Sequence, residues 1–569
     1  MNVAELVGRT LAQLGVGHAF GVVGSGNLVV TNALRSNGVP FTAARHEGGA
    51  ASMADAYSRM SNTLAVLSTH QGCGLTNAMT GIGEAAKSRT PMLVLAAESA
   101  GAAVQSNFRV DQDALATSVG AVAERVYSAA SALADTIRAY RTAVNQRRVV
   151  VLSLPIDVQE HQVPASTPEV VAGPARSLAI RPNQAAVLAL ADRIRAAKRP
   201  VFVAGRGGRA ARSELLALAE QAGALVATSA VANGLFEGEA FSLGISGGFS
   251  SPTSAELIKS ADLIVGWGCA LNMWTMRHGR LIGAQTVVVQ VDVEEEALGA
   301  NRPVDLGVVG DVAETASAVL AELGRPGGSG SPSGSGSSSS GSGSGASAHP
   351  VEGYRTDAVA QRIAAGARWR DVETEDLSSA ERIDPRLLSA KLDELLPSNR
   401  IVSIDSGNFM GYPSAYLAVP DEFGFCFTQA FQSIGLGLGT AIGAALAQPD
   451  RLPVLGAGDG GFLMSISELE TAVRLKLPLV AIIYNDNAYG AEVHHFTSGD
   501  DDLSTVQFPD TDIAAIARGY GATGVTVRTV EDLAAVSDWL AGPRTAPLVI
   551  DAKIADDGGS WWLAEAFGH

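Results

Sequence analysis

Two short motifs place oxygen-bearing side chains where apolar runs end. Leu452 to Ala457 leads into Gly458-Asp459-Gly460-Gly461, and Leu479 to Tyr484 leads into Asn485-Asp486-Asn487. A helical stretch to about Lys476, then Leu477-Pro478, lies between them. This strand–helix–strand order puts Asp459 and Asp486 at the carboxyl ends of adjacent parallel strands, the edge at which open α/β sheets bind ligands. Glycines there admit a diphosphate to the backbone, and the helix start offers N–H groups. The two side chains supply hard oxygen ligands for a Mg²⁺ that bridges the phosphates. Gly-Asp-Gly alone is equally a tight turn and Asn-Asp-Asn alone a strand exit; the intact helix between them selects diphosphate binding.

An earlier segment has the same layout. Leu64 to Thr69 enters His70-Gln71-Gly72-Cys73-Gly74, followed by a helical stretch to about Ser88, Thr90-Pro91, and a strand from Met92 to Ala97. Two such units far apart imply two related parallel-sheet domains. Pro200–Gly205, Leu225–Thr228, Asp262–Gly268 and Thr286–Asp292 supply strands for a third between them. The expected fold is α/β, three doubly wound parallel-sheet domains near 1–165, 185–322 and 383–558. From Gly327 to Ser347 only Pro332 and Ala346 depart from Gly and Ser, the composition of a flexible linker reaching roughly 25 Å.

Composition narrows the partners. The 569 residues carry 41 Lys+Arg against 58 Asp+Glu, a net charge of −17 that repels nucleic acid and anionic lipid. Cys73, Cys269 and Cys426 are too few for a disulfide framework or thiolate cage, which suits a reducing cytoplasm. The start, Met1-Asn2-Val3-Ala4-Glu5, lacks a basic segment followed by an apolar run, and no stretch approaches the ~18 apolar residues of a membrane span. The expectation is a cytoplasmic enzyme with no nucleic acid or membrane partner.

The paired motifs resemble the thiamine-diphosphate signature of the acetolactate synthase, pyruvate decarboxylase and benzoylformate decarboxylase superfamily, over nearly the whole chain outside the linker. The resemblance implies an N-terminal pyrimidine-binding domain, a central Rossmann-like domain and a C-terminal diphosphate-binding domain. It implies thiamine diphosphate and Mg²⁺, with the metal on the Asp459 and Asp486 side chains and the Ala488 carbonyl. Gly407, Asn408, Gly458, Gly460 and Gly461 would surround the cofactor. That family usually has Asn at the position of Asp486, so this site carries an additional negative charge. Arg45-His46-Glu47-Gly48-Gly49-Ala50-Ala51 is by itself an acid at a helix start. Within the resemblance, Glu47 is similar to the activator glutamate, whose carboxyl group hydrogen-bonds N1′ of the aminopyrimidine and lets N4′ remove the thiazolium C2 proton. Gln432-Ser433-Ile434-Gly435-Leu436-Gly437 resembles the wedge region that keeps the cofactor bent, with Ile434 as the wedge.

Other residues bear on the reaction. Ser25, in Phe20-Gly21-Val22-Val23-Gly24-Ser25, follows the benzoylformate decarboxylase pattern, as does the His70 segment; acetolactate synthases lack that His. By itself His70 is also a cap at a strand-to-helix turn. Glu492 stands three residues beyond Tyr489, as in pyruvate and indolepyruvate decarboxylases, or is an exposed helix acid. Arg109 replaces a Gln of acetolactate synthases and suits a substrate carboxylate, or else pairs with Asp111 or Asp113. Gly205-Arg206-Gly207-Gly208 lies near FAD in some relatives; FAD is possible but not favoured. His278 resembles the middle-domain His that reaches the substrate cavity in benzoylformate decarboxylase, though at a longer spacing from Gly268; His494-His495 and Trp561-Trp562 border the entrance or, more simply, are surface imidazoles and an aromatic-packed tail. No segment supplies the Gly-x-Gly-x-x-Gly and acid set of a nicotinamide enzyme. The resulting expectation is non-oxidative decarboxylation of a 2-oxo acid with Glu47, His70, Ser25 and Glu492 as catalytic groups and carboligation to an aldehyde or ketone acceptor as a side activity. Acetolactate synthase-like carboligation is the alternative, and a cofactor-binding paralogue without turnover the third reading. The resemblance also implies a homodimer or homotetramer with its active sites between chains.

Overall fold

Aliphatic runs too short for helices and bounded by Gly, Pro or Asn become eighteen strands among the described residues, and their pairings are parallel. The computed structural model describes residues 1–168, 179–325 and 353–563, so the Gly/Ser linker lies outside the described residues. The first sheet contains β1 (His18–Gly21), β2 (Phe41–Ala43), β3 (Ala65–Thr69), β4 (Met92–Glu98), β5 (Val122–Arg125) and β6 (Val149–Pro155), in the order β2-β1-β3-β4-β6-β5. The second contains β7 (Pro200–Ala204), β8 (Leu225–Thr228), β9 (Ser242–Ile245), β10 (Leu263–Trp267), β11 (Val287–Asp292) and β12 (Leu306–Val309), in the order β12-β11-β10-β7-β8-β9. That is the doubly wound dinucleotide-fold order. The third contains β13 (Arg400–Ile404), β14 (Phe425–Phe427), β15 (Leu452–Gly458), β16 (Val480–Asn485), β17 (Thr523–Val527) and β18 (Leu548–Lys553), in the order β14-β13-β15-β16-β18-β17. It repeats the first sheet strand for strand. The chain thus has the three α/β layers expected from its sequence. Residues before 169 and from Glu375 to Leu563 form one compact unit, and residues 179–325 and 353–374 form another.

Within the first unit, α1 (Glu47–Ser61) lies between β2 and β3, and α2 (Cys73–Lys87) between β3 and β4. In the third sheet α3 (Gly437–Ala447) leads into β15. The segment from β15 to β16 departs from the single helix expected there: it is two short helices, α4 (Asp459–Ser465) and α5 (Glu468–Arg474). The join is tightened by i→i+3 bonds, Leu469 N–H to the Ile466 carbonyl (2.9 Å) and Glu470 N–H to that of Ser467 (3.3 Å), and Glu468, the first residue of α5, is buried.

The first and third sheets meet through α1 and α3. A Cβ on Gly439 would come within 2.8 Å of the Gly49 carbonyl oxygen, and one on Gly443 within 2.2 Å of the Met53 carbonyl oxygen. Only glycine permits that approach of two backbones. Beside it, Arg59 of α1 is buried and hydrogen-bonded, to Ser88 (2.6 Å) among others. Its guanidinium reaches Asp55 (2.9 Å), Glu84 of α2 (2.9 Å) and the Phe427 carbonyl at the end of β14 (2.9 Å). Glu84 in turn accepts from the N–H groups of Ala430 (3.1 Å) and Phe431 (2.6 Å).

Removing one member of a buried ionic network strands the others, at about 3–5 kcal/mol. Arg59→Met should therefore lower the urea midpoint by an amount of that order, because Asp55 and Glu84 lose their counter-charge. A loss under about 1 kcal/mol would show that this network does not carry the contact between the two sheets.

Candidate active site

Every loop that carries a candidate residue leaves the carboxyl end of a strand. In the third sheet these loops enclose a cleft of about 130 Å³. Gly407 and Asn408 come from the loop after β13, Ile434 from the one after β14, Gly458, Asp459, Gly460 and Gly461 from the end of β15, and Asp486, Ala488 and Glu492 from the segment after β16. Glu492 stands on the first turn of α6 (Gly490–Phe496) and lines the same cleft as both aspartates.

Asp459 and Asp486 are hydrogen-bonded to each other. Burial pushes the Asp459 carboxyl up to about 6, and burial followed by the Asp459 charge raises Asp486 well above the usual range. Two acids so placed favour a proton or a cation between them. Oxygen donors on a glycine-lined wall suit a divalent metal with a diphosphate. Among the described residues no group of three or more His, Cys, Asp or Glu side chains converges, so backbone and phosphate oxygens must complete such a shell. The residues fit the cofactor's diphosphate end.

The aspartates are positioned from behind. Asp486 Oδ1 accepts from Ala488 N–H (3.1 Å), and a Cβ on Gly490 would come within 2.1 Å of Asp486 Oδ2. Asn485 anchors the turn: its amide donates to the fully buried Asp551 (2.8 Å), and its Oδ1 accepts from Asn487 N–H (3.1 Å). Lys553 Nζ lies 3.2 Å from Asp551, and its positive charge favours ionised Asp459.

Sequence reasoning missed two supports of the cleft. Asp405, at the end of β13, is buried beneath the wedge loop and accepts from the N–H groups of Ser406 (2.8 Å) and Gly435 (3.0 Å), with further bonds from Leu436 and Gly437 at the start of α3. The residue after Ile434 is therefore fastened to the floor of the site. An acid between a strand end and Ser-Gly-Asn was the available signal. The second support is the tail: Ser560 N–H donates to Asn408 Oδ1 (3.0 Å) and Trp562 Nε1 to the Asn408 carbonyl (2.9 Å). Trp561 packs on Tyr412 and Tyr416.

The N-terminal domain gathers the other three candidates at its own carboxyl edge. Ser25 follows β1 and is exposed, Glu47 follows β2 and His70 follows β3. Gly26 N–H donates to His70 Nδ1 (3.2 Å), so the neutral ring carries its proton on Nε2. Phe108 meets the imidazole edge-on at 5.2 Å. Glu47 accepts from the Asn77 amide (3.1 Å), and Gly74 lies between it and His70. Among the described residues, the cleft walls come from the C-terminal domain alone. Arg109 is exposed, while Asp113 holds Arg125 (3.1 Å) and Asp111 caps Ala114 (2.9 Å). His494 approaches Asp556 at 4.0 Å, and His495 meets Phe496 edge-on.

In the second unit, Gly205 N–H donates to the Trp267 carbonyl (2.9 Å) and Gly207 N–H to that of Gly268 (3.1 Å), so two loops interlock where a flavin phosphate would need N–H groups. His278 is exposed on the turn Arg277–Gly279. A hollow on the helix Ala132–Asn145, lined by Arg138, Arg141 and Asn145, gathers no such constellation.

Comparisons with known proteins follow the same division. Residues 1–116 match the family described as thiamine pyrophosphate enzyme, N-terminal TPP binding domain, residues 187–319 the thiamine pyrophosphate enzyme central domain, and residues 405–552 the C-terminal TPP binding domain. The chain is 28% identical to a sulfoacetaldehyde acetyltransferase of Rhodobacter capsulatus, over all of this chain and 96% of the relative. It is 28% identical to a probable 2-ketoarginine decarboxylase of Pseudomonas aeruginosa, over 94% and 90%, and 27% identical to an acetolactate synthase of Bacillus subtilis, over 97% and 93%. No described helix is long and apolar enough to cross a membrane.

Burial pushes the Asp405 carboxyl up to about 6 from an ordinary 3.8, so the folded protein holds that proton more tightly than the unfolded chain. Its contribution to stability is full below about pH 4 and is lost as pH rises through about 6. Cofactor-free Asp405→Asn lacks this loss. Its stability relative to wild type should rise between pH 4 and 7 by about 2–3 kcal/mol, read from urea midpoints. Parallel pH curves would show that Asp405 does not titrate in that window.

Proposed function

The chain belongs to the thiamine pyrophosphate enzyme superfamily and takes thiamine diphosphate as its cofactor, and from that premise we propose that it decarboxylates a 2-oxo acid without oxidation, with carboligation to an aldehyde or ketone as a side reaction. The observation that carries this reading is Glu492, an ionisable acid on the wall of the cleft that holds the Asp459–Asp486 pair. When bound, the cofactor supplies a nucleophilic carbon and an electron sink for the carboxylate that leaves. Asp459, Asp486 and the Ala488 carbonyl would hold Mg²⁺, the usual partner metal of the family, and the diphosphate with it. Ile434, fastened through Gly435 to Asp405, would support the bent cofactor. Glu47 would exchange a proton at the aminopyrimidine nitrogen. Glu492 delivers the proton that releases an aldehyde, and His70, with its Nε2–H free of the Gly26 contact, and Ser25 bind and orient the substrate.

Glu47, His70 and Ser25 reach a cleft through a second copy of the chain. The cleft of one chain has walls from one domain only, and exposed apolar side chains border both edges: Val23, Leu28, Val29 and Phe108 near the N-terminal candidates, Phe431 and Met464 near the wedge and α4. A dimer that buries these faces against each other is the minimum assembly. The second reading is acyl transfer to an acceptor carbonyl, favoured by the similarity to a sulfoacetaldehyde acetyltransferase and an acetolactate synthase.

Two measurements test these assignments. Isothermal titration should show Asp486→Asn retaining Mg²⁺-dependent thiamine diphosphate binding and Asp486→Ala losing it at least about tenfold; equal binding by both would remove Asp486 from the metal. With a panel of 2-oxo acids, wild type should release CO₂ and free aldehyde. Glu492→Gln should slow aldehyde release by ~10²-fold and raise the share of ligation product when an acceptor aldehyde is added. Wild-type turnover that yields 2-hydroxyketone with little aldehyde would favour the second reading.

A further inference from the structure

The loop that carries Glu47 is held from the C-terminal domain. Glu468, only 1% exposed, turns its carboxylate onto the backbone just before Glu47. It accepts from His46 N–H at 2.9 Å and from Arg45 N–H at 3.1 Å, and its second oxygen accepts from the Thr471 hydroxyl at 2.7 Å. A Cβ on Gly49 would come within 2.4 Å of the carboxylate, so the group is pressed against the first turn of α1. Two neighbours on α5 reinforce the clasp: Glu470 binds the Arg45 guanidinium (2.6 Å), and Arg474 binds the Ala43 carbonyl at the end of β2 (2.5 Å).

A buried acid that accepts from two main-chain N–H groups of another domain, beside the positive charge of Arg45, fixes a position as well as a charge. The break between α4 and α5 accompanies this arrangement. Nine residues after Asp459, the chain presents Glu468 at the start of a new helix, buried toward α1.

We propose that Glu468 is a positioning residue for Glu47, setting where the Glu47 carboxyl meets the aminopyrimidine. The inference rests on the reading of Glu47 as the proton-exchanging acid. Glu468 is not among the residues that line the cleft. A displacement of about 1 Å in such a group costs up to ~10²-fold in rate.

The test uses the full-length assembled protein, with Glu468→Ala, Glu468→Gln, Gly49→Ala and Glu47→Gln. Glu468→Gln keeps an oxygen for the two N–H groups, while Gly49→Ala displaces the carboxylate from the opposite side and serves should Glu468→Ala fail to fold. Without cofactor, amide hydrogen exchange over residues 43–50 should quicken at least about tenfold in Glu468→Ala and Gly49→Ala and stay near wild type in Glu468→Gln. With cofactor, C2–H/D exchange should fall about 10- to 100-fold in the same two variants and recover to within about threefold in Glu468→Gln. The dissociation constant for thiamine diphosphate should change less than about threefold throughout. A slow Glu47→Gln beside undiminished C2 exchange in Glu468→Ala or Gly49→Ala overturns the positioning role, as does a parallel loss of cofactor affinity. Undiminished C2 exchange in Glu47→Gln instead overturns the reading of Glu47 itself.

Discussion

Two carboxylates in hydrogen-bond contact inside a protein are unstable as a pair of charges, and the diphosphate-binding domain is arranged around that instability. Asp459 and Asp486 are driven together by the adjacency of β15 and β16, and their backing is fully engaged. Asn485 is tied to Asp551, Asp551 is neutralised by Lys553, and Gly490 leaves the space a side chain would fill. In the proposed function a divalent cation answers the pair. The extra charge at Asp486, where an amide is usual in the family, sharpens the demand.

The same topology serves two purposes in one chain. The first and third sheets have the same strand order, so each strand end in one has a counterpart in the other. The loop after β2 carries Glu47 and the loop after β14 carries Ile434; the loop after β3 carries His70 and that after β15 carries Asp459. In the proposed function the third sheet builds the phosphate and metal end, while the equivalent loops of the first present groups for proton exchange. The middle sheet has a different order and its glycine loop is locked against Gly268, which sets it apart from both.

The sheets and the motif residues were legible because their signals are local. Leu64–Thr69 and Leu452–Ala457 are apolar runs of strand length, and both lead through a glycine turn into a helix and a Pro-preceded strand. The supports of the site were not, since each joins residues far apart in sequence. Asp405 bonds a loop thirty positions on, Glu468 bonds Arg45 and His46, and Trp562 bonds Asn408. In the sequence all three look unremarkable: an acid after a strand, an acid on a helix and an aromatic near the end. The division of α4 from α5 was hidden for the same reason, because burial of Glu468 against another domain, and no helix-breaking residue, accompanies it.

The contact between α1 and α3 has one more consequence. Gly49 meets Gly439 and Met53 meets Gly443, so the two helices run side by side in the same direction with a constant offset. One starts at Glu47 and the other three residues past Ile434. Main chain rests on main chain at those two points, beside the Ser52 side chain. Within each chain the pair works as a gauge block, fixing the span between the two loops to the thickness of a peptide backbone. Substitutions elsewhere in the core can alter stability, but they have little means of altering that dimension.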